Sequence, residues 1–164
     1  MNDICDSHAV SYSTRMEDDN KAKYDIPKNA LQFTSVEDMY TNRAVLAPMV
    51  RVNILPFRIL AREYGCSLLY SEEIIAKKLK QCIQTVGSDG TIKVIDPKNA
   101  NKVILHTYVN EPLIVQLGVS NGIDAVQAAE IVSNNCKGID INMGCPKLFS
   151  LQGDMGSALL HKPE

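Results

Sequence analysis

The stretch that decides the fold is Gly138-Ile-Asp-Ile-Asn-Met-Gly-Cys-Pro-Lys147. It is typical of a short strand, Gly138–Asn142, followed at once by a turn in which Cys145 sits between a glycine and a proline. A cysteine kept for packing belongs inside an apolar run, whereas this one follows the run. Because glycine permits unusual backbone angles and proline locks its own, the two neighbours fix the loop that carries the thiol.

On the N-terminal side of that stretch, short apolar runs alternate with segments of helical spacing. Runs this apolar are not half-exposed strands, so they favour a parallel sheet covered by helices, an α/β fold. Residues 87–102, rich in Gly, Asp, Asn and Pro, are predicted as turns. The predicted strands are Ala44–Ala47, Ser67–Tyr70, Val103–Leu105 and Leu113–Leu117, and the predicted helices are Pro56–Tyr64, Glu72–Gln84, Ser120–Asn134 and one that begins near Gly156.

Two architectures fit this order of elements, a doubly wound open sheet and a (β/α)₈ barrel. A whole barrel takes about 250 residues, and this chain without its N-terminal segment offers about half of that. The chain also stops inside a helical pattern with no capping signal, so we expect it to be truncated, and both architectures stay open. The predicted domains are an acidic, largely disordered tail over residues 1–42, with a short helical lead-in over residues 31–42, and a truncated α/β domain over residues 43–164.

The composition argues against several classes of protein. A formal net charge of −2 gives no general attraction to nucleic acid or to an anionic membrane. No apolar run approaches the roughly 20 residues that cross a bilayer, and the N-terminus has neither the basic start nor the apolar stretch of a secretory signal. The five cysteines are odd in number and none forms a C-x-x-C pair, so we expect no disulfide framework and no metal site, but reduced thiols in the cytoplasm.

Several polar and apolar residues follow the predicted strands directly. In parallel α/β folds the carboxyl ends of the strands share one face, and ligands bind there. That face would bring together a rigid apolar turn, two amides and one thiol. Amides can bond the N–H and C=O edges of a flavin or a uracil, and a thiol can give a proton to carbon or act as a nucleophile. The residues are Pro48 and Met49 after the first strand, Gln116 near the end of Leu113–Leu117, and Asn142 and Cys145.

Each of these residues also has an ordinary structural explanation. Cys145 could be an inert thiol, Gln116 could satisfy backbone groups at a strand end, and Asn142 could be a turn former. Pro48 and Met49 could pack in the core. Only their occurrence together at successive strand ends favours a site. The basic residues are expected to form a solvated surface first and an RNA contact second: Arg51, Arg58, Arg62, Lys77, Lys78 and Lys80.

Five motifs together resemble the tRNA-dihydrouridine synthase family, and the resemblance runs from about residue 44 to residue 164. Details of the first and last motifs are most similar to the eukaryotic branch that reduces a uridine at tRNA position 20. The motif N-x-G-C-P, preceded along the chain by A-P-M and Q-L-G, is a specific signal of this family. The motifs are Val45-Leu-Ala-Pro-Met-Val50, Arg62-Glu-Tyr-Gly65, Tyr70-Ser-Glu-Glu73, Val115-Gln-Leu-Gly118 and the opening stretch with Gly156-Ser-Ala-Leu-Leu160 behind it.

The resemblance implies a flavoenzyme with FMN across the mouth of a (β/α)₈ barrel, reduced by NADPH, with tRNA as its partner. Residues 43–164 would then be a truncated barrel domain containing about the first half. Cys145 would protonate C5 of a flipped-out uracil while hydride reaches C6. Asn142 would hold the edge of the uracil or the flavin, and Gln116 would bond the isoalloxazine. Pro48, Met49 and Val50 would line the flavin. The family's later strands and helical RNA-binding domain are not in this chain, so we expect it to be inactive alone.

Two alternatives remain open. Another flavin-dependent barrel oxidoreductase, acting on a small molecule, would share the fold and the chemistry of the mouth. A truncated isoform that binds protein partners through its exposed edges or its acidic tail would need no catalysis. Dihydrouridine in tRNA, against turnover of a free pyrimidine, separates the first alternative from the synthase.

Overall fold

A computed structural model describes residues 33–162, and the predicted disordered tail lies largely outside the described residues. The described part of the lead-in contains a helix, Val36–Tyr40, as predicted. Ser35 caps it, because its side chain accepts a hydrogen bond from the backbone N–H of Asp38. Within residues 33–162, no helix has the length and apolar character that a membrane span requires.

The described chain alternates strands and helices, with two short 3₁₀ turns. In the second helix, Pro56 lies in the first turn, where its missing N–H is not needed, and Gly65 adopts φ +98° just past the end. The helices are α1 (Val36–Tyr40), α2 (Leu55–Glu63), α3 (Ala76–Leu79), α4 (Gly122–Val132) and α5 (Leu148–Gln152), and the strands are β1 (Ala44–Leu46), β2 (Cys66–Tyr70), β3 (Ile74–Ile75), β4 (Ile83–Val86), β5 (Thr91–Asp96), β6 (Asn99–Tyr108), β7 (Leu113–Gly118) and β8 (Gly138–Ile141).

The predicted parallel sheet is confirmed. Strand β1 pairs with β2, β2 with β7, and β7 with β8, all in parallel. Strand β3 pairs with the same edge of β7 as β2, further along the strand. The core lies between this sheet and the helices on one face, where Val115 and Leu117 of β7 meet Ala128 and Val132 of α4. Asn121, not the predicted Ser120, caps α4.

A bulge separates β2 from β3. Tyr70 is opposite Ile114 and Ile74 is opposite Leu117, so the three residues 71–73 face two residues of β7. The Ser71 side chain supplies hydrogen bonds where the bulge interrupts the backbone hydrogen-bond ladder. Its buried hydroxyl accepts from the backbone N–H of Gln116 at 3.0 Å and donates to the carbonyl of Glu72 at 2.6 Å. Because of the bulge, the next two side chains, Glu72 and Glu73, do not follow the alternating side-chain directions of the strand.

The predictions for residues 72–105 are partly wrong. Only Ala76–Leu79 is helical within the predicted helix Glu72–Gln84, and residues 87–102 contain two strands where turns were predicted. Strands β4, β5 and β6 form an antiparallel sheet, so Val103–Leu105 does not belong to the parallel sheet. The physical reason is period-two alternation in β5, where Ile92 and Val94 are buried and Lys93 is exposed. The turn residues lie only at the two hairpin ends.

Helix α2 carries a second correction. Arg58, predicted to be on the solvated surface, is 1% exposed, whereas Leu60 of the same helix and Tyr64 just after it are exposed. The Arg58 guanidinium pairs with the buried carboxylate of Glu111 at 2.7 Å and 3.0 Å. It also donates to the carbonyl of His106 in β6 at 2.8 Å. Arg58 thus attaches α2 to the segment around the antiparallel sheet.

The C-terminal part of the described chain differs in detail from the prediction. The helix predicted near Gly156 is a 3₁₀ helix, Gly156–His161. A short α-helix that was not predicted, α5, follows the Cys145 loop directly. Its five residues are too few to show helical periodicity in sequence.

Candidate functional site

The loops that follow the parallel strands lie together at one edge of the sheet, the edge formed by the carboxyl ends of the strands. They do so because β1, β2, β7 and β8 run in the same direction. All the residues predicted to form a site lie at or near this edge. Pro48, Met49 and Val50 follow β1, and Gln116 lies in the second half of β7. Asn142 and Cys145 follow β8.

Cys145 is held by four hydrogen bonds. Its backbone N–H donates to Oδ1 of Asn142 at 3.1 Å. Its carbonyl accepts from the backbone N–H of Ser157 at 3.0 Å and from the Ser157 hydroxyl at 3.2 Å. Its Sγ accepts from the hydroxyl of Ser150 at 3.2 Å. The residue is half-buried and outside the hydrophobic core, so its thiol belongs to the loop and not to the packed interior.

Gly156 lies in close contact with Cys145 in the loop. It has φ +61°, and a Cβ placed there would lie 2.5 Å from the Cys145 carbonyl oxygen and 3.0 Å from the Cys145 Cβ. Only glycine combines this backbone angle with this approach. Gly156, near which the last predicted helix begins, therefore supports the cysteine loop.

Asn142 organises the loop through its side chain. Its Oδ1 accepts from the backbone N–H groups of Gly144 and Cys145, each at 3.1 Å. Its Nδ2 donates to the carboxylate of Glu73 at 2.9 Å, and its own backbone N–H continues the ladder to Leu117. Glu73 in turn lies so close to Gly118 that a Cβ on that glycine would be 2.7 Å from the carboxylate. The predicted binding role of Asn142 stays a prediction.

Gln116 forms a cross-strand pair with Asp140. The two residues are in register on β7 and β8, and Nε2 of Gln116 donates to Oδ2 of Asp140 at 2.7 Å. The hydroxyl of Tyr70, the last residue of β2, is hydrogen-bonded to the hydroxyl of Tyr40 in α1 at 2.6 Å, and either oxygen can be the donor. Burial raises the pKa of Tyr70, and the bond to Tyr40 and the charge of Asp140 add to the effect. Tyr70 is therefore neutral at physiological pH.

The turn after β1 is fixed by backbone and side-chain bonds. The Met49 carbonyl accepts from the N–H groups of Val52 and Asn53 at 3.2 Å and 3.1 Å. The buried amide of Asn53 donates to the carbonyls of Ala47 and Tyr70 at 2.7 Å and 2.8 Å, which ties the end of β1 to the end of β2. The backbone N–H of Arg51 donates to the carboxylate of Glu72. The turn is thus held in place while its apolar side chains remain accessible.

The edge offers a flat heterocycle both apolar surface and amide donors. Met49 and Val50 are 39% and 55% exposed, and Ile141 and Met143 at the end of β8 are 37% and 45% exposed. Exposed apolar surface beside oriented polar groups is characteristic of a ligand site. Within residues 33–162, Nε2 of Gln116 and Nδ2 of Asn142 each have one recorded acceptor, which leaves a second N–H for a ligand. The arrangement therefore offers contacts for both the face and the polar edge of such a ring.

A separate cavity of about 340 Å³ lies where α2 meets the antiparallel sheet. Asn53, Glu72, Lys93 and His106 are among its lining residues, and none of the predicted site residues is. Its size alone does not make it the reaction site, because the thiol and the site amides lie elsewhere. In the part of the chain described by the structure, no cluster of His, Cys, Asp and Glu could hold a metal ion.

Sequence reasoning did not single out several residues that complete the edge. Asp140 had a usable signal, since it lies two residues before Asn142 in the predicted strand Gly138–Asn142, where period-two alternation puts both on one face. Tyr70 and Glu73 stand at the end of β2 and just after it. Ser150 had no signal, because its role depends on the unpredicted helix α5.

Comparison with known proteins identifies the family. A family model described as dihydrouridine synthase (Dus) matches residues 45–164. The tRNA-dihydrouridine(20) synthase (NAD(P)+) of Saccharomyces cerevisiae is 42% identical over 135 residues, which cover 76% of this chain and 35% of the yeast protein. The protein of the same name from Schizosaccharomyces pombe is 42% identical over 127 residues, covering 74% of this chain and 26% of its own.

A human protein with a related name, tRNA-dihydrouridine(20a/20b) synthase (NAD(P)+)-like, is 36% identical over 120 residues, covering 73% of this chain and 33% of its own. The chain therefore spans about a third or less of the length of these relatives. The family predicted from the five motifs is confirmed, because the matching model covers most of the chain, including the Cys145 loop. This chain belongs to the dihydrouridine synthase family.

Proposed function

We propose that this protein acts as a tRNA-dihydrouridine synthase, reducing the C5=C6 bond of a D-loop uridine with FMN and NADPH. The observation that carries the proposal is the half-buried Cys145 thiol, presented by a loop with four hydrogen bonds at the edge where the parallel strands end. The names of the relatives, which specify tRNA, dihydrouridine and NAD(P)+, support the substrate and the reductant.

The parallel strands β1, β2, β7 and β8 would be the first half of a (β/α)₈ barrel, within a domain that covers residues 43–164. Support comes from the strand order, which follows the chain order apart from the antiparallel insertion. Residues 1–42 would be an acidic, largely disordered tail. The free cysteines of the described chain, Cys66, Cys82, Cys136 and Cys145, support a reducing compartment such as the cytoplasm.

The chain's residues divide the work at the sheet edge. Pro48, Met49 and Val50 would pack against the ring system of FMN, and Gln116 would donate an N–H to its polar edge. Asn142 would use its remaining N–H to hold the uracil. When bound, FMN would supply the hydride for C6 of the uracil, with NADPH as the source of the electrons. The target uridine reaches this edge by leaving its base stack.

Cys145 would complete the reduction as a general acid. The S–H bond breaks, a C–H bond forms at C5, and the sulfur keeps the electron pair, so the uracil gains one hydride and one proton. Water then returns a proton to the sulfur. The fixed loop favours this role because proton transfer depends on the position of the donor.

The test replaces the chromosomal gene in the source organism. Deletion should remove dihydrouridine from one or more D-loop positions of purified tRNA, measured by mass spectrometry after nuclease digestion. The unchanged gene should restore it, and Cys145→Ala should lower the rate of formation by about 100-fold or more, the usual contribution of a general acid. Cys66→Ala, which changes a cysteine in β2 away from the loop, is the matched control and should restore dihydrouridine.

Full dihydrouridine in the deletion strain, or in the Cys145→Ala strain, would contradict the proposal. Loss of reduction of a free pyrimidine instead would point to the small-molecule oxidoreductase.

A further inference from the structure

Helix α5 has an inverted pattern of burial. Its serine, Ser150, is fully buried, whereas Leu148, Phe149 and Leu151 are 68%, 51% and 41% exposed. Burying a hydroxyl costs free energy unless the hydroxyl finds a hydrogen-bond partner. The recorded partner of this hydroxyl is the sulfur of Cys145, at 3.2 Å. The buried polar group in this helix therefore serves the cysteine.

The backbone around Ser150 is well anchored. Its N–H donates to the carbonyl of Lys147 at 2.9 Å, and its carbonyl accepts from Met155 at 2.8 Å and Gly153 at 3.1 Å. A side chain on a fixed backbone, and without access to water, has few alternative positions. The hydroxyl therefore defines where the sulfur lies.

We infer that Ser150 is a positioning residue for the thiol of Cys145, acting by donating its O–H to the sulfur. The inference rests on the proposed function, in which Cys145 protonates carbon. A serine hydroxyl has a single proton to donate, and this proton is directed at Sγ. The thiol's own proton then points away from Ser150 and is available to the substrate.

The same contact gains strength during the reaction. When the S–H bond breaks and the proton moves to C5, the sulfur keeps the electron pair and becomes negatively charged. A hydrogen bond to a charged acceptor is stronger than one to a neutral acceptor, so the Ser150 O–H favours the product side of the proton transfer. Water then returns the proton to sulfur, and the contact reverts to its starting state.

The test measures alkylation of Cys145 by iodoacetamide near neutral pH, read by mass spectrometry of the Cys145 peptide. Ser150→Ala removes the donor that stabilises negative charge on the sulfur. We expect alkylation to slow by about threefold, because the sulfur carries negative charge as it attacks and that charge has lost a hydrogen bond. A purely structural role predicts the opposite sign, since a loosened loop exposes the sulfur and speeds alkylation.

Ser157→Ala is the matched control. It removes a hydroxyl from the same loop that bonds the Cys145 carbonyl and not the sulfur, while the backbone N–H of Ser157 remains bonded. Its alkylation rate should stay equal to or above that of the unchanged protein. The Cys66 peptide of each sample reports general unfolding.

Alkylation of Cys145 in Ser150→Ala at the unchanged rate, or faster, would overturn the inference. Slower alkylation in Ser150→Ala alone supports it. The proposed function fails separately, if tRNA from the Cys145→Ala strain keeps its dihydrouridine. The alkylation rates still decide whether Ser150 acts on the sulfur in that case.

Discussion

Gly156 shows how single residues decide the geometry of the cysteine loop. Its positive φ and its approach to the Cys145 backbone leave no room for a side chain. The two neighbouring supports, the Ser157 N–H and hydroxyl, both bind the Cys145 carbonyl and depend on that approach. The loop therefore keeps its position only with glycine at this place.

Gly156→Ala should destabilise the protein by about 1–3 kcal/mol, because alanine is strained at this φ and its Cβ meets a backbone oxygen. The measurement is the free energy of unfolding in urea. Gly122→Ala is the control, since it lies at the start of α4 with nothing within 4 Å of the added Cβ. Equal unfolding free energies for the two variants would show that the loop relaxes at no cost.

The residues of the site could be predicted from sequence to the extent that strand ends can be recognised locally. Cys145 and Asn142 stood out because glycine and proline punctuate the turn after an apolar run. Their supports could not be predicted, because they come from distant positions. Glu73, which accepts from Asn142, is 69 residues away in the chain.

At the scale of elements, α2 is held by a buried charge and not by an apolar stripe alone. The Arg58 and Glu111 side chains are 2% and 0% exposed, and the Thr107 hydroxyl donates a further bond to Glu111 at 2.5 Å. A buried carboxylate that loses its cation keeps the full cost of desolvation. The helix and the antiparallel sheet therefore depend on each other.

Arg58→Met should destabilise the protein by about 3–5 kcal/mol in urea unfolding, because it leaves Glu111 buried and unpaired. Arg43→Met, which removes a cation from the more exposed pair with Asp38, should cost no more than about 1 kcal/mol. Adding Glu111→Gln to Arg58→Met should recover part of the loss, since the buried charge is gone. A double variant less stable than Arg58→Met would argue against this account.

The boundaries of helices and strands were predictable where one periodicity dominated. Helix α4 keeps Ala128 and Val132 on one face, and its predicted position agrees with the structure apart from the cap. The antiparallel strands were missed because turn residues at their ends masked the alternation in β5. Arg58 was misplaced because a cation on a helix is usually solvated, and its buried partner lies 53 residues away.

At the scale of the whole molecule, the two sheets share an apolar core, and a polar junction lies beside it where α2 meets the antiparallel sheet. His106 of β6 lies at this junction, and Lys93 of β5 and Arg58 of α2 are close to its ring. Burial lowers the pKa of His106 below its usual 6.5, and the charges of Lys93 and Arg58 lower it further. The folded protein therefore prefers the neutral imidazole.

Acidification should destabilise the protein through His106. Above pH about 6.5 the ring is neutral in both states, so the stability is fully present. As the pH falls from there through the folded pKa, the unfolded chain takes up the proton more readily and stability is lost. The aspartates with lowered pKa values act at more acidic pH: Asp38, Asp89 and Asp124.

His106→Gln should reduce the loss of Tm between pH 7.5 and pH 5.5, because glutamine does not titrate. These two pH values lie about 1 unit on either side of the usual histidine pKa. His161→Gln, which replaces an exposed histidine in the final 3₁₀ helix, is the matched control for the substitution itself. Scanning calorimetry at the two pH values supplies the comparison. Identical losses for the two variants would place the titration elsewhere.

The parallel arrangement could be predicted from sequence, but the joining of two sheets could not. Strands that are mostly apolar indicate burial on both faces, and five of the six residues of β7 are buried. Val94 and Leu105 of the antiparallel sheet share one apolar core with Val115 of β7, and the buried pair of Arg58 and Glu111 adds a polar contact. These contacts link positions far apart in the chain, and no local pattern shows which distant residues will meet.

The bulge at residues 71–73 has a consequence for the width of the ligand edge. Its two carboxylates reach in opposite directions, Glu72 to the Arg51 backbone after β1 and Glu73 to Asn142 after β8. Three residues thus act as a spacer between the apolar turn and the thiol-bearing turn. Deleting one of these residues would restore regular pairing with β7 and exchange the directions of the side chains. A single-residue deletion would therefore change the distance between the two turns.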